Sequence, residues 1–263
     1  MKVLVPVKEV ATVDDEFEID GNAIDDRFLG ADLNEWDDYA IEEAVQLQED
    51  GVVDEVVTVT IGDEDTEQTI RQALAKGADR AVRVWDDALE DVGLLDVGAK
   101  TAILGAVVEA EEPDLVLTGV QSGDDSFGAT GVALAESIGY QWGAVVNDLE
   151  LDLDAGIAAV HRELEGGVEE LTDVDIPAVL TIQTGINEPR YASLRGIRMA
   201  QRKDLDHQTL ADLGVDADVV AGDLRLTDMY EPESESDTTV FEGSAEDTAG
   251  ALAELLSEKG VAP

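Results

Sequence analysis

Up to about residue 140, short apolar runs alternate with stretches whose apolar positions recur at helical spacing. Residues 3–7 form a continuous apolar run of the length of a buried strand. Asn34, with Asp37 three residues on, reads as a helix N-cap, and Ala40, Ile41, Ala44, Val45 and Leu47 follow on one helical face. Residues 56–61 predict a second strand, ending at Gly62. A helix over about 66–76 buries Ile70, Ala73 and Leu74 and stops at Gly77, a residue free to take the backbone of a C-cap. A short strand at 81–85, a helix over about 96–110, a strand at 115–119 and a helix over about 130–138 complete the series. Such alternation predicts an α/β fold: a doubly wound, mostly parallel sheet with helices on both faces. Ligands of such sheets sit beyond the carboxyl ends of the strands, which places Pro6, Ile61, Gly62 and the loop 119–131 on one rim.

After about residue 143 the period shortens. Runs at 145–151, 157–164 and 168–171 predict an added β-meander, with Gly166 and Gly167 turning its last hairpin. A further apolar strand is expected at 177–182, and a loop with a helix at 185–203 leaves the sheet. Residues 206 to about 244 are rich in Asp, Glu, Ser and Thr and read as an extended arm, followed by a terminal helix over 245–259. Two regions result: 1–205, an α/β domain that includes 185–203, and 206–263, a C-terminal arm and helix. Too little of the arm is apolar for it to bury a core alone, so it is expected to lie on a partner subunit or on its own domain.

Charge changes this picture more than composition does. The chain of 263 residues carries 62 acids against 16 bases, for a net charge of −46, and only six of the bases are lysines. Acid runs of this density otherwise signal disorder, but here they interleave with periodic apolar positions, and 44% of residues are hydrophobic. The acids therefore coat a folded surface that repels itself until salt screens it, which reads as salt adaptation and suggests a halophile. Nucleic acid and anionic membranes are poor partners for such a surface. With no cysteine, disulfides, iron–sulfur ligation and thiol catalysis drop out. His161 and His207 stand apart, and no metal-ligand spacing is present. No apolar run reaches the length of a membrane span and no signal peptide is seen, so a soluble, cytoplasmic protein is expected.

Two segments could carry chemistry. The loop of Gly119, Val120, Gln121, Ser122, Gly123, Asp124, Asp125, Ser126, Phe127, Gly128, Ala129, Thr130 and Gly131 follows a strand and opens a helix. Glycines let backbone N–H groups approach an anion, and a helix N-terminus adds partial positive charge. No lysine follows the last glycine, so this is not a Walker loop, and its spacing is not that of a dinucleotide fingerprint. An ordinary glycine-rich turn is equally compatible, and Asp124 and Asp125 repel a phosphate unless their carboxylates point away. The second segment runs from Asn187 to Lys203. Five of the sixteen bases lie between Arg190 and Lys203 with no acid among them. Tyr191, Leu194, Ile197 and Met199 add the apolar contacts that anchor interfaces. A basic helix packed on the protein's own acidic surface is the plainer alternative. No catalytic triad or nucleophile elbow is present, so no catalytic residue is expected.

The run Asn187, Glu188, Pro189, Arg190, Tyr191, Ala192, Ser193, Leu194, Arg195, Gly196, Ile197 resembles the signature of electron transfer flavoprotein beta subunits, close to NEPRY-x-(S/T)-L-x-x-I. Residues 3–8 are similar to that family's first strand, Asn34 with 40–45 to its first helix, and 69–80 to its second. The 119–131 loop fits its G-x-Q-x-x-D-D-x-x-x-x-T-G loop, and Arg162, Glu163, Gly166 and Gly167 fit its RE-x-x-GG hairpin. The resemblance spans about residues 1–215. It implies the adenine-nucleotide-binding fold shared with universal stress proteins. It implies a heterodimer with a larger alpha subunit holding most of an FAD, which acyl-CoA or other flavin dehydrogenases reduce and a membrane quinone oxidoreductase oxidises. It also implies one structural AMP in this chain, bound by Pro6, Asn34, Glu35, Trp36, Asp37, Ile61 and the residues Gly119 to Thr130. The segment 185–203, in which Asn187 to Tyr191, Arg195, Ile197 and Arg198 accompany Leu194 as apolar anchor, corresponds to the family's dehydrogenase-recognition loop. Glu163 corresponds to a glutamate that steadies the flavin domain.

Several positions depart from the family pattern. Val120 and Gly123 stand where many members carry Lys and Ile, and Val13 stands where some place an aromatic near the flavin. Bifurcating members bind a second FAD in place of AMP and tend to have valine at the position of Thr130, followed by Gly-Pro; Thr130, Gly131 and Val132 lean toward AMP. The remaining alternatives are a stand-alone adenine-nucleotide-binding regulator and an enzyme acting on an adenylated substrate.

Overall fold

A computed structural model describes residues 1–90, 92–231 and 238–261, so the stretch 232–237 of the expected arm lies outside the described residues. The order of elements is β1 (Lys2–Pro6), β2 (Glu9–Val13), β3 (Ile19–Asp20), β4 (Ala23–Ile24), β5 (Leu29–Leu33), α1 (Glu35–Glu49), β6 (Glu55–Ile61), α2 (Glu67–Lys76), β7 (Arg80–Val84), α3 (Val97–Glu111), β8 (Leu115–Gly119) and α4 (Thr130–Ile138). There follow β9 (Gln141–Asp152), β10 (Ile157–Leu164), β11 (Val168–Asp175), β12 (Ala178–Ile182), α5 (Leu194–Ala200), β13 (Leu205–Gln208) and α6 (Ala245–Glu258).

Nine strands make one sheet in the order β11-β10-β9-β12-β8-β1-β6-β7-β13. The strands from β9 to β13 in that order pair in parallel, and β10 and β11 continue the sheet antiparallel. The central strands read as unbroken apolar runs because both faces are covered. Val3 and Val5 join a core with Ile41, Ala44, Val45, Ile70 and Leu74 of α1 and α2, while Leu4 between them joins Ile103, Val107, Leu134 and Ala135 of α3 and α4. Leu115 and Leu117 against Val116, and Leu180 against Val179, repeat the same alternation.

Three features differ from the sequence reading. Residues 9–33, to which no element was assigned, carry two short ladders, β2 with β5 and β3 with β4; their strands are too short and too exposed to show a period. Strand β9 begins at Gln141 rather than 145, and its first residues pair with β12, which merges the meander into the main sheet. The expected arm starts at 206, yet residues 205–208 form β13 beside β7, and Leu210 and Val220 are buried in the α3–α4 core. The compact unit extends from Met1 to Met229; Tyr230–Pro263 is a second unit, in which α6 opens on a capping box of Ser244 and Asp247.

Candidate functional site

The chain leaves β1 for β6 on one side and returns to β8 on the other, so the sheet order reverses between β1 and β8. A ligand crevice opens beyond the carboxyl ends of strands at such a reversal. Here those ends are Pro6 and Gly119. Asp37 is buried between them and accepts hydrogen bonds from the backbone N–H of Lys8 (2.7 Å) and of Gly119 (3.1 Å), tying the two strand ends together. Burial drives its pKa up to about 7, against the pull of those N–H donors.

Asn34 takes the N-cap position of α1 but makes no capping bond. Its amide instead donates to the Gln121 carbonyl (2.8 Å) and accepts from the Gly123 N–H (3.2 Å). The two side chains that read as a helix start in the sequence thus serve the loop. Trp36 lies against Gly119, where an added Cβ meets the Trp36 Cβ at 2.6 Å and the Asp37 Oδ1 at 2.5 Å. The glycine is required by close approach rather than by its backbone angle.

The carboxylates of Asp124 and Asp125 are neutralised within the loop. Lys8 Nζ donates to Asp124 Oδ1 (2.6 Å), Asp125 Oδ2 (2.8 Å) and Ser122 Oγ (3.2 Å), and Lys100 of α3 pairs with Asp125 while lying 5.2 Å from the Phe127 ring centroid. Burial opposes ionisation of both aspartates, but their lysine and serine partners prevail and hold both pKa values below the usual carboxylate range. The Ser122 hydroxyl and the Phe127 backbone N–H donate to Asp125 Oδ1 (2.8 and 3.2 Å), and Ser126 and Gly128 take left-handed backbone. The loop then enters α4, whose N-cap, Ala129, supplies no side-chain acceptor, so the first-turn amides have no side-chain cap among the described residues. Gly131 lets that turn approach β8 and β12, and beneath it the buried Thr118 Oγ1 has no hydrogen-bond partner among the described residues. Neutralised carboxylates, uncapped first-turn amides and an orphaned hydroxyl fit an anionic nucleotide moiety.

Pro6, Asn34, Trp36, Asp37 and the 119–130 loop are therefore assembled on one rim; Glu35 is exposed on the first turn of α1, and Ile61 ends β6 beside β1. Lys8 and Lys100 were missed in the sequence reading. Their signal was scarcity, since two of six lysines converge on one aspartate.

The other expected site divides in two. Asn187 and Arg190 turn inward onto α1, whereas Tyr191 (97% exposed), Leu194 (78%), Ile197 and Met199 stay in solvent with Arg195 and Arg198. The helix is only α5, capped by Ser193, whose hydroxyl accepts from the Gly196 N–H at 3.0 Å. Gly196 presses on α2, where a Cβ would meet the Ala75 carbonyl at 2.3 Å. Glu188 is exposed and Pro189 half-buried. Glu163 is exposed on β10 opposite Glu169, next to the turn at Gly166 and Gly167, both at positive φ. Among the described residues no cluster fits a metal, and no helix is long and apolar enough to cross a membrane.

The family profile described as electron transfer flavoprotein domain matches residues 23–213. An electron transfer flavoprotein subunit beta of Methylophilus methylotrophus is 44% identical over 98% of each chain. One of Bradyrhizobium diazoefficiens is 35% identical over 99% of this chain and 100% of its own length. The mitochondrial subunit beta of Arabidopsis thaliana is 34% identical over 88% of this chain and 90% of its own. With a profile match over most of the chain and relatives of this identity along its whole length, the chain belongs to the electron transfer flavoprotein family, on its beta-subunit side.

Proposed function

We propose that this chain is the smaller subunit of a heterodimeric electron carrier and performs no bond chemistry itself. A larger alpha subunit holds most of an FAD, which supplies the electron-accepting chemistry. Acyl-CoA or other flavin dehydrogenases reduce that flavin, and a membrane quinone oxidoreductase takes the electrons onward. The carrier works in the cytoplasm, and the acidic surface fits a salt-rich interior.

This chain contributes two things. On the rim, the loop 119–130 with Pro6, Asn34, Glu35, Trp36, Asp37 and Ile61 holds an AMP as a structural part of the fold, with Lys8 and Lys100 balancing Asp124 and Asp125. On the surface, the segment 187–198 docks on dehydrogenases with Leu194 as anchor, and Glu163 steadies the flavin domain of the partner.

The observation that carries the docking reading is exposure. Tyr191, Leu194, Ile197 and Met199 cluster in solvent among Arg195, Arg198 and Arg202, none of which has an acidic partner among the described residues. Apolar anchors ringed by arginine are the composition of binding hot spots. In the purified heterodimer, Leu194→Ala is expected to slow electron acceptance from a dehydrogenase about tenfold or more, with FAD content unchanged. Wild-type rates in that variant would remove the docking assignment.

A further inference from the structure

The signature run is not one surface. Asn187 and Arg190 face α1, whereas Tyr191, Leu194 and Ile197 face solvent together with Arg195. Asp38, Glu42 and Glu49 recur at helical spacing and share a face of that helix. Arg190 Nε and Nη2 donate to Glu42 (2.8 and 3.0 Å), its Nη1 and Nη2 donate to Glu49 (2.7 and 2.9 Å), and its backbone N–H donates to Glu42 Oε2 at 3.1 Å. Glu42 is itself buried and held by Gln46 at 2.7 Å. The Arg190 carbonyl accepts from Lys76 Nζ at 2.8 Å, and Lys76 also pairs with Asp38. Asn187 donates to the Tyr39 carbonyl (3.1 Å) and to Glu43 (2.9 Å).

These bonds use four of the five side-chain N–H groups of Arg190 in a fork that matches two carboxylates. The neighbouring bases contrast with it. Arg195, Arg198 and Arg202 are exposed and meet no carboxylate among the described residues, although the chain has nearly four acids for each base.

We infer that Asn187 and Arg190 are positioning residues, which fasten the docking segment to α1 so that Tyr191, Leu194, Ile197 and Met199 are presented at a fixed angle. The inference rests on the docking reading for its consequence but not for its geometry. It also makes α1 the common support of both sites. The first turn of α1 holds the nucleotide loop through Asn34 and Asp37, and its later turns hold the docking segment.

The test uses the full heterodimer in molar salt, with Arg190→Gln and, separately, Glu42→Gln with Glu49→Gln. Two readouts are taken: amide hydrogen exchange over residues 191–200, and KM against kcat for electron acceptance from an acyl-CoA dehydrogenase. Fastening predicts exchange about tenfold faster in both variants, a raised KM with kcat unchanged, and no further change when the substitutions are combined. Should Arg190→Gln not fold, Glu49→Gln removes half the fork at an exposed carboxylate and is expected to move exchange the same way by less. Unchanged exchange in the variants overturns the inference. So does a raised KM in Arg190→Gln alone with the glutamate variant normal, which would make Arg190 a partner contact. Faster exchange with no change in KM, together with a silent Leu194→Ala, would leave the fastening intact and remove the docking reading instead.

Discussion

Asp37 ties the carboxyl ends of β1 and β8 together through the backbone N–H groups of Lys8 and Gly119. Three residues after Asn34, it fits a capping pattern, yet both side chains leave the helix end and reach across the sheet reversal. Nothing in the local sequence distinguishes the two uses, because the partner groups come from residues 29 to 89 positions away. Its titration gives a testable sign. The folded pKa, about 7, lies above the ordinary 3.8, so the folded state binds the proton more tightly. The contribution to stability is full below about pH 4 and is lost as the pH rises through about 7. In denaturant unfolding at constant molar salt, Asp37→Asn is expected to remove that decline, and the stability difference between variant and wild type should change between pH 5 and pH 8. A difference independent of pH would contradict the raised pKa.

At the scale of elements, the period of apolar positions sufficed for strands and helices buried on both sides, where Val3, Leu4 and Val5 alternate between two cores. It did not suffice for β2 to β5, whose residues are largely exposed, or for β13, whose four residues are fixed by pairing with β7 rather than by their own pattern. Long-range pairing is invisible to a local period. Glycines separate packing from propensity in the helices facing the sheet. An alanine at Gly131 places its Cβ 2.6 Å from Thr118 Oγ1 and from Thr181 Cγ2, and is expected to cost about 1–3 kcal/mol. At Gly105 of α3 the nearest atom is an ordinary 3.4 Å away, so alanine there is expected to stabilise by about 0.5–1 kcal/mol. Thermal unfolding of the two variants under one salt condition checks the opposite signs; equal effects would mean that α4 does not pack on β8 and β12 as described.

For the whole molecule, the charge was legible in composition, but its distribution was not. Lys2, Lys8, Lys76, Lys100, Arg80, Arg162 and Arg190 are committed to internal acids, and Lys203 holds the carbonyls at the end of α2. Most of the surface therefore remains acidic, and Arg195, Arg198 and Arg202 interrupt it on and beside α5. Surface repulsion reaches across the fold at low ionic strength and is cut to a range of about 3 Å at 1 M salt. The far-ultraviolet circular dichroism of the chain is expected to lose amplitude between molar and millimolar salt. An unchanged spectrum would count against salt adaptation.

The central claim is that the rim between β1 and β8 holds a structural AMP in a carrier whose flavin sits mainly in a partner. The most direct test purifies the chain with its larger partner in high salt, denatures the complex and quantifies the nucleotides released per heterodimer. One FAD and one AMP is the predicted result. Two FAD without AMP would contradict it and make the 119–131 loop a flavin site.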